Sequence, residues 1–562
     1  PAAKMNESFR IKHVAGLSLL LAVALFLRLY NCAWDDGLLF HPDEANLIRA
    51  VQRIDFPGQL DPGFFAYNGF PIYLFRAATD LVSAIVPTIE EVAELKRIVV
   101  VSRVVSAVIA TASVLVIYLL GCKIQDRRLG YVAAVLLAMN TGMIQTAHFA
   151  VTENLMVFWL LLLTYLTVTS TGNTRGFLRG SWKMGVVLGL ALGTKTTALS
   201  YFLIPFSGVL PGWWHTSRAD GGRWSDWAKG LLLVGAVAAV TFILVTPYTF
   251  LRWDDFRDSM RYEWSVVSGN LPVFYTIQFS NTNDYLFSAE NLHWLCGPLV
   301  PLAAIAGAVI WLFKTVRTRR PVAILPLLIF GIAYFLYTGG WHAKFIRYMT
   351  LLVPVLAICA AGFVCTMWPR PGQSSWRILP AVLVVGSSVV WSALFFSIYL
   401  RSDTRLTASE WMADNISHGS RIVYEWDNYP VLPQPPDLQA FFAVESILVY
   451  DPDNLEKIQR LAQQLSQADY LVLTSSRFHT TIPRARERFP LTAQFYHALL
   501  AGEVGYQVCA EFSSLPGFGS WSIDDSGAEE TFRVFDHPRV MILINRARMP
   551  ADSIVQSIFS RQ

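Results

Sequence analysis

The sequence is poor in charged residues, which make up 15% of its 562 residues, whereas soluble globular proteins carry about 25%. Hydrophobic residues reach 54%, and the mean hydropathy is +0.41. This balance excludes an ordinary soluble domain and indicates a polytopic membrane protein. The net charge of +4 is small and does not indicate a nucleic-acid partner.

Cysteine pairs and nucleotide-binding motifs are also missing. The six cysteines show neither a CxxC nor another metal-like spacing, so they indicate no zinc site and leave the redox compartment open. The C-terminal part contains no GxGxxG and no Walker motif. No internal repeat is visible, although two similar halves are typical of many transporters.

Long hydrophobic runs are abundant. A spanning helix needs about 20 mostly apolar residues, and the sequence offers about eleven candidates by that criterion. They run 14–30, 98–120, 129–144, 154–168, 184–194, 197–213, 230–245, 295–313, 324–337, 345–367 and 379–400. The first follows Lys4, Arg10 and Lys12 without a small-residue cleavage site, so we interpret it as a retained span.

Basic residues mark alternate loops and therefore predict the orientation. With about eleven spans, the basic N-terminus and the loops near Lys123, Arg175, Arg218, Lys314 and Arg370 all fall on one side. Because cytoplasmic loops are enriched in Lys and Arg, we expect a multi-pass plasma-membrane protein. Its N-terminus would be cytoplasmic and its C-terminal domain extracytoplasmic.

Two domains are expected. Residues 1–400 would form the transmembrane domain, with long outer loops at 32–97 and 252–294 that could hold interfacial helices. In residues 401–562, helix-like and strand-like segments alternate, as in "NLEKIQRLAQQLSQADYLVLTSS" and "VMILINRA". This alternation predicts a small soluble α/β domain.

Ionisable residues gather at the predicted outer ends of the spans. An ionisable group at a membrane is costly and is a candidate functional residue. Snorkelling side chains and solvated loops are the simpler alternative for each one alone. Their shared level instead predicts a pocket with carboxylates and a basic lining, formed by Asp43, Glu44, Arg103, His148, Glu153, Lys195, His342, Lys344 and Arg347.

Such a pocket suits transfer chemistry. A carboxylate can act as general base for a hydroxyl, and Lys and Arg can hold a phosphate. Lys344 and Arg347 are three apart and would share a face of a helix. Glu153 has a simpler alternative role in the first turn of a helix, where Thr152 could cap and an acid suits the helix dipole.

The order of these motifs resembles that of the GT-C glycosyltransferases, in the group of protein O-mannosyltransferases and aminoarabinose transferases (glycosyltransferase family 39-like). The similarity covers residues 10–368. It rests on "HPDE" with Asp43-Glu44, "YNGFPIYLF" with Tyr67, Arg103 in the second span, Glu153, "GLALGTK" with Lys195, and "KFIRYMTLLVP" with Lys344 and Arg347. Family members often have Asp where this chain has Glu153, and the C-terminal part does not resemble a β-trefoil.

The resemblance implies a GT-C fold and transfer of a sugar from a polyprenyl-phosphate-linked donor. The acceptor would be a hydroxyl of a glycan, lipid or protein on the extracytoplasmic face. Asp43 would be the general base, and Glu44 would orient the acceptor or share that role. Direct displacement would invert the anomeric centre. The predicted substrate-binding residues are Tyr67, Arg103, His148, Glu153, Lys195, His342, Lys344 and Arg347.

Several alternatives stay open. A transporter with an outward-facing polar site is the second interpretation, and a non-catalytic membrane scaffold is the third. Carboxylates suit Mg²⁺ or Mn²⁺, but the outer loops hold no DxD motif. Their nearest cluster, Asp254 and Asp255, fits the start of an interfacial helix. We expect the C-terminal domain to help cover the site, with residues 424–430 ("YEWDNYP") as its contact.

Overall fold

The computed structural model describes residues 2–86, 91–210, 224–318, 323–369, 374–426 and 441–560. Helices dominate the first 400 residues. Their bounds are Ala2–Leu29, Pro42–Arg53, Gly69–Ile85, Glu91–Ile124, Arg127–Ala138, Thr141–Ala147, Glu153–Ser170, Thr174–Thr194, Trp224–Val245, Pro247–Leu251, Trp253–Val267, Leu286–Cys296, Leu299–Thr318, Leu325–Thr338, Val353–Met367 and Leu379–Phe396. Short 3₁₀ segments include Thr196–Phe202 and Ile346–Leu352, each followed directly by a helical segment, and Phe274–Phe279, which stands alone.

Among the described residues, six helices are long and apolar enough to cross a membrane: Glu94–Ile124, Glu153–Ser170, Trp224–Val245, Leu299–Arg317, Ile346–Met367 and Ser375–Asn415. Three shorter apolar helices, His13–Leu29, Thr196–Leu210 and Leu325–Thr338, also coincide with predicted segments. The predicted segment 184–194 is the end of the helix Thr174–Thr194. The polytopic helical architecture is therefore confirmed, and the count of about eleven spans stays a prediction.

The predicted span 129–144 is not one straight helix. The chain bends by 55° between Arg127–Ala138 and Thr141–Ala147. Asn140 begins the second helix, because its side chain accepts a hydrogen bond from Met143 N at 2.9 Å. An asparagine at this position satisfies one of the free backbone donors of a new helix start, which explains the break.

Two helices of the bundle pack closely through glycine. A Cβ added at Gly185 would lie 2.6 Å from Val237 Cβ, and one at Gly189 would lie 2.5 Å from Thr241 Cβ. Glycines four residues apart occupy one helix face and let two backbones approach. They join the helix Thr174–Thr194 to Trp224–Val245 and so fix the position at which Lys195 emerges.

Both long predicted loops contain helices, as expected. Residues 32–97 hold Pro42–Arg53 and Gly69–Ile85, and residues 252–294 hold Trp253–Val267, Phe274–Phe279 and most of Leu286–Cys296. Asp254 and Asp255 lie in the first turn of Trp253–Val267, which agrees with their predicted place at a helix start. Their position near the helix N-terminus also suits the helix dipole.

After residue 400 the chain forms a mixed sheet with helices. The strands are β1 (Arg421–Glu425), β2 (Ala443–Ile447), β3 (Tyr470–Leu473), β4 (Tyr506–Phe512), β5 (Gly517–Phe518), β6 (Trp521–Ser522) and β7 (Val540–Asn545). The five-stranded sheet has the order β2-β1-β3-β7-β4. β1 pairs in parallel with β2 and β3, and β7 runs antiparallel to β3 and β4. The helices of this part are Thr404–Asn415, Leu455–Gln467, Arg477–Thr481, Pro490–Leu500 and Ala551–Phe559.

The sequence pattern explains this α/β region. Leu455–Gln467 is strongly amphipathic, and it buries Ile458, Leu461 and Leu465 in one core together with Leu471 and Leu473 of β3. Asn454 caps the helix by accepting from Lys457 N. The helix-like and strand-like segments quoted from the sequence are confirmed as Leu455–Gln467, Tyr470–Leu473 and Val540–Asn545.

One segment of the C-terminal region packs into the helical bundle. Phe532, Val534 and Phe535 belong to the same hydrophobic core as the membrane helices. Gln145 Nε2 donates to Phe532 O at 2.8 Å, and Tyr399 OH donates to Asp536 at 2.8 Å. The two parts of the chain are therefore joined by a buried contact, not only by the linker near residue 400.

Candidate active site

A cavity of about 490 Å³ lies between the helical segments. Its walls combine ionisable, aromatic and apolar side chains. The lining includes Tyr67, Glu153, Met156, Lys195, Leu199, Met260, Glu263, Trp264, Tyr334, Tyr337, Trp341, Arg347, Tyr348 and Leu351. A pocket that is mostly apolar with a few convergent polar groups is the usual form of a ligand site.

Asp43 contacts two residues of the cavity wall, Arg347 and Tyr67. It lies in the first turn of Pro42–Arg53, where its backbone N–H donates to Nδ1 of His41 at 3.2 Å. The carboxylate pairs with Nη1 of Arg347 and accepts a hydrogen bond from Tyr67. Burial alone would raise the pKa of Asp43, but the charge of Arg347 outweighs it and holds the pKa below its ordinary value. Asp43 is therefore ionised while Arg347 stays beside it.

Lys195 and Glu153 form the second ion pair of the cavity. Lys195 Nζ lies 3.4 Å from Glu153 Oε1, and it also lies over the rings of Tyr67 and Tyr348 at 5.1 and 5.9 Å. Lys195 follows the last residue of the helix Thr174–Thr194, with extended backbone, so its side chain leaves the helix axis. The aromatic faces attract the ammonium group, and Lys195 lines the cavity, where it is positioned for an anion.

Glu153 begins the helix Glu153–Ser170, as expected. Thr152 occupies the N-cap position, but its side chain makes no capping hydrogen bond. The expected cap is therefore absent there, and Glu153 instead turns its carboxylate to Lys195. A smaller cavity of about 30 Å³ shares Glu153 and Arg347 and is also lined by His41 and Thr531.

Arg347 and Lys344 point in different directions. The 3₁₀ helix that carries Arg347 begins at Ile346, so Lys344 precedes it. Lys344 Nζ lies 2.9 Å from Asp284 and 3.4 Å from the hydroxyl of Thr282. The expectation that both side chains share a helix face is wrong, because the helix starts between them. Only Arg347 lines the cavity.

Glu44 is turned away from the cavity. Its two oxygens accept from Nε and Nη2 of Arg103, each at 2.7 Å, and Oε1 also accepts from Ala150 N at 2.7 Å. Arg103 binds the two oxygens of Asp35 at 2.8 Å as well. The side chains of all three ionised residues are 0% exposed. This Asp35–Arg103–Glu44 triad is a buried frame for the start of Pro42–Arg53, and it does not border the cavity.

The two predicted histidines also lie elsewhere. His148 is fully buried, stacks on Tyr399 with 3.5 Å between ring centroids, and contacts the carbonyl oxygens of Ile144 and Tyr30. His342 packs against Gly269. Burial lowers the pKa of His342, and the charge of Lys344 lowers it further. Of the predicted site residues, the structure brings together Asp43, Tyr67, Glu153, Lys195 and Arg347. Substrate binding by His148, His342, Lys344 or Arg103 stays a prediction.

Sequence reasoning missed Glu263, Tyr348 and Asp35. Glu263 lies on the helix Trp253–Val267, whose sequence "WDDFRDSMRYEWSVV" alternates aromatic and charged residues around an amphipathic helix. That pattern predicted an interfacial helix, and it does not say which acid faces a pocket. Burial raises the pKa of Glu263, and the negative charge of Asp43 raises it further.

The C-terminal region reaches the site through residues 525–537. Glu529 Oε2 accepts from Ile346 N at 3.0 Å, next to Arg347, and Oε1 accepts from Gln278 Nε2 at 2.6 Å. Glu529 is 1% exposed. The expected contact at residues 424–430 is not seen: Glu425 bonds to Tyr496 inside the α/β region, and residues 427–430 lie outside the described residues.

Near that contact, His537 lies between Asp525 and Asp536, at 2.6 Å from Asp525. Burial alone would lower the pKa of His537, but the two carboxylates raise it to about 10. The imidazolium therefore ties the segment to the bundle through Asp536 and Tyr399. Among the described residues, no group of three or more His, Cys, Asp or Glu side chains is arranged to hold a metal ion.

No family model and no curated protein sequence matches the chain. Solved structures do resemble it. The oligosaccharyltransferase AglB of Archaeoglobus fulgidus, in complex with an inhibitory peptide and a dolichol-phosphate, is 14% identical with a TM-score of 0.56. Its apo form is 13% identical with a TM-score of 0.54. Each alignment covers 86% of this chain and 72% of AglB. ArnT of Cupriavidus metallidurans bound to undecaprenyl phosphate is 14% identical with a TM-score of 0.48, over 95% of this chain and 98% of ArnT.

AglB, whose two structures have TM-scores above 0.5, is a GT-C glycosyltransferase, and the similarity at such low identity concerns the fold. The chain therefore has the GT-C fold, as the order of its motifs predicted, joined to a C-terminal α/β region.

Proposed function

We propose that the protein is a membrane glycosyltransferase that moves a sugar from a polyprenyl-phosphate-linked donor to an acceptor hydroxyl. One observation carries this proposal: in a GT-C fold, a single cavity is lined by two cations, Arg347 and Lys195, and the first of them pairs with the carboxylate of Asp43. A carboxylate can accept the proton of an attacking hydroxyl. Arg and Lys can hold a phosphate and stabilise it as it leaves.

The ion pairs suggest how substrate binding prepares the base. Arg347 is held by Asp43, and Lys195 by Glu153. A phosphate that enters the cavity competes for both cations, since a guanidinium binds phosphate in two-point geometry. When Arg347 turns to the phosphate, Asp43 loses the charge that depresses its pKa and becomes a stronger base.

The transfer step would be a direct displacement. The acceptor oxygen forms a bond to the anomeric carbon, while the bond from that carbon to the phosphate oxygen breaks. The hydroxyl proton passes to Asp43, and polyprenyl phosphate leaves with the bonding electrons, held by Arg347 and Lys195. Attack opposite the leaving group inverts the anomeric centre. A phosphate leaving group needs little protonation, so one carboxylate is sufficient.

Glu153 would contact the acceptor or position Asp43. It lines both cavities, and its pair with Lys195 at 3.4 Å is longer than a tight hydrogen bond. The acceptor would be a glycan, a lipid or a protein. Because activated donors outside the cytoplasm are lipid-linked, the cavity would open at the extracytoplasmic face of the plasma membrane. Residues 1–400 would be catalytic, and residues 401–562 would lie outside the membrane.

A transfer assay in detergent tests the proposal. The purified protein is mixed with radiolabelled undecaprenyl-phosphate mannose, glucose or arabinose and a membrane extract as acceptor source. We expect labelled product with wild type and a rate at least about tenfold lower with Asp43→Asn. Mass spectrometry of co-purified lipid should find a polyprenyl phosphate. If no donor is consumed and no such lipid co-purifies, the glycosyltransferase proposal fails and a transporter becomes the better interpretation.

A further inference from the structure

Glu263 is a third carboxylate near the cations of the site, and it lies on the cavity wall. Within the described part of the chain, no side chain or backbone group forms a hydrogen bond or an ion pair with it, although it is partly buried. Ionised groups at a partly buried position normally acquire a partner. Glu263 therefore differs from the other carboxylates of the site, and its partner is expected to come with the substrate.

The cations of the cavity are already engaged. Arg347 pairs with Asp43, and Lys195 pairs with Glu153. Glu263 lines the same cavity as Lys195 and Arg347, so it lies near the proposed phosphate site. A phosphate itself would repel Glu263, because both are negative. A neutral group that donates hydrogen bonds fits this position better.

The surroundings of Glu263 favour a sugar. The neighbouring Trp264 lines the same cavity, as do Tyr337, Trp341 and Tyr348. Aromatic side chains supply an apolar face with a polar edge, and a carboxylate accepts hydrogen bonds from hydroxyl groups more strongly than a neutral acceptor does. This combination matches a ring with one apolar face and several hydroxyls.

We propose that Glu263 binds the hydroxyl groups of the donor's sugar, and that the helix Trp253–Val267 is the element that recognises that sugar. The inference rests on the proposed function. The donor is favoured over the acceptor because its sugar is bonded to the phosphate, and Glu263 lies beside the two cations that would hold that phosphate. The raised pKa of Glu263 agrees with a carboxyl group that waits without a cation.

The test compares two kinds of ligand, the glycosylated carriers and the bare carrier, whose affinities should respond differently to the loss of the Glu263 charge. Binding of undecaprenyl-phosphate mannose, glucose and arabinose and of bare undecaprenyl phosphate is measured by competition in detergent. Glu263→Gln should weaken binding of the best glycosylated carrier by about tenfold or more, since it removes a charge-assisted hydrogen bond. Binding of the bare carrier should be unchanged or slightly tighter, because a negative charge near the phosphate is removed.

Asp258→Asn is the matched control. Asp258 lies on the same helix, is 63% exposed, and pairs with Arg257 and Arg261. Its loss should leave both affinities unchanged, because exposed ion pairs contribute little. A general disturbance of the helix would instead weaken the binding of both kinds of carrier in both variants.

Three results would overturn the inference. If Glu263→Gln leaves the affinities for both kinds of carrier unchanged, Glu263 does not touch the sugar. Intact transfer by the same protein would keep the proposed function. Equal weakening of both ligands shows a structural role. If wild type binds neither carrier, the proposed function itself fails and the inference fails with it.

Discussion

Glu44→Gln is the substitution that best separates a structural acid from a catalytic one. The sequence places Asp43 and Glu44 together as a catalytic pair, whereas the structure gives them different surroundings. Glu44 has 0% side-chain exposure and binds Arg103 through both oxygens. Asp43 is 19% exposed and pairs with Arg347 at the cavity. We therefore expect Glu44→Gln to destabilise the fold.

The size of the effect follows from the contacts. Removing one partner of a buried ion pair costs about 3–5 kcal/mol, because the other charge stays buried. Asp35 still neutralises Arg103, so we expect the cost to lie at the lower end of this range. The glutamine NH₂ would face the Nη2 donor of Arg103, and Ala150 N would share one weaker acceptor. We expect a loss of about 3 kcal/mol in the free energy of unfolding.

Asp43→Asn provides the comparison. Its side chain is partly exposed, and the isosteric amide can still accept from Tyr67. We expect it to lose at most about 1–2 kcal/mol. Unfolding by SDS titration in mixed micelles gives both values, and the transfer rate is then measured per folded molecule. A Glu44→Gln protein with near wild-type stability and no transfer would refute the structural role and restore Glu44 as a catalytic residue.

Four further predictions follow from the same contacts. Asp43→Asn should reduce the transfer rate by at least about tenfold, since loss of a general base costs about 10²–10⁴-fold; a smaller loss in an initial-rate assay would remove this role. Lys195→Ala should raise the KM for the lipid donor more than Lys344→Ala does, because Lys195 lines the cavity whereas Lys344 is paired with Asp284; equal donor KM values in the two variants would contradict this order. Glu153→Gln should keep stability within about 1 kcal/mol and lower transfer by about tenfold or more; activity within twofold of wild type would leave it as a helix-start residue. His537 has a folded pKa of about 10 against an ordinary 6.5, so its stabilisation is complete below pH 6.5 and is lost as the pH rises through about 10; His537→Gln should flatten the pH dependence of unfolding there, and an unchanged profile would contradict it.

The sequence predicted which residues come together at the site better than it predicted the contacts between them. Asp43, Glu153, Lys195 and Arg347 lie far apart in the chain, yet the last three stand at the ends of hydrophobic segments, and Asp43 lies in the outer loop that follows the first segment. Since helices of similar length span one bilayer thickness, residues at corresponding ends lie at one level. That argument is sufficient to bring them near each other, and the structure does so.

The direction in which each side chain points could not be predicted in the same way. Neighbouring residues on a helix point about 100° apart, so one member of an acidic pair faces the cavity and the other faces Arg103. Which of the two is buried depends on a partner 59 residues away. Asp35 and Asp36 repeat this: the first has 0% side-chain exposure and the second 68%. Lys344 shows a related limit, because the helix start that separates it from Arg347 is set by tertiary contacts.

Contacts across the two parts of the chain were also beyond sequence reasoning. Glu529 holds Ile346 N, 183 residues away, and so fixes the start of the helix that carries Arg347. Nothing in the pattern "GAEETFRVFDHP" distinguishes these acids from those of an exposed loop. The expectation that the C-terminal region approaches the site agrees with these contacts, although the contacting residues differ from the expected ones.

The ion pairs of the site fall into two kinds, and the difference bears on mechanism. The Asp35–Arg103–Glu44 triad is closed to solvent, so a substrate cannot replace any of its members without unfolding the local structure. The pairs of Arg347 and Lys195 border the cavity, with cation side chains 20% and 19% exposed. A phosphate can therefore take the place of a carboxylate at either cation. Exchange of one anion for another leaves each cation neutralised, so neither Arg347 nor Lys195 becomes an unpaired buried cation. The carboxylates set free are Asp43 and Glu153. Asp43 would then become free to act as a base only when the phosphate of the donor is already bound. An acceptor hydroxyl would not be deprotonated in a site that holds no donor.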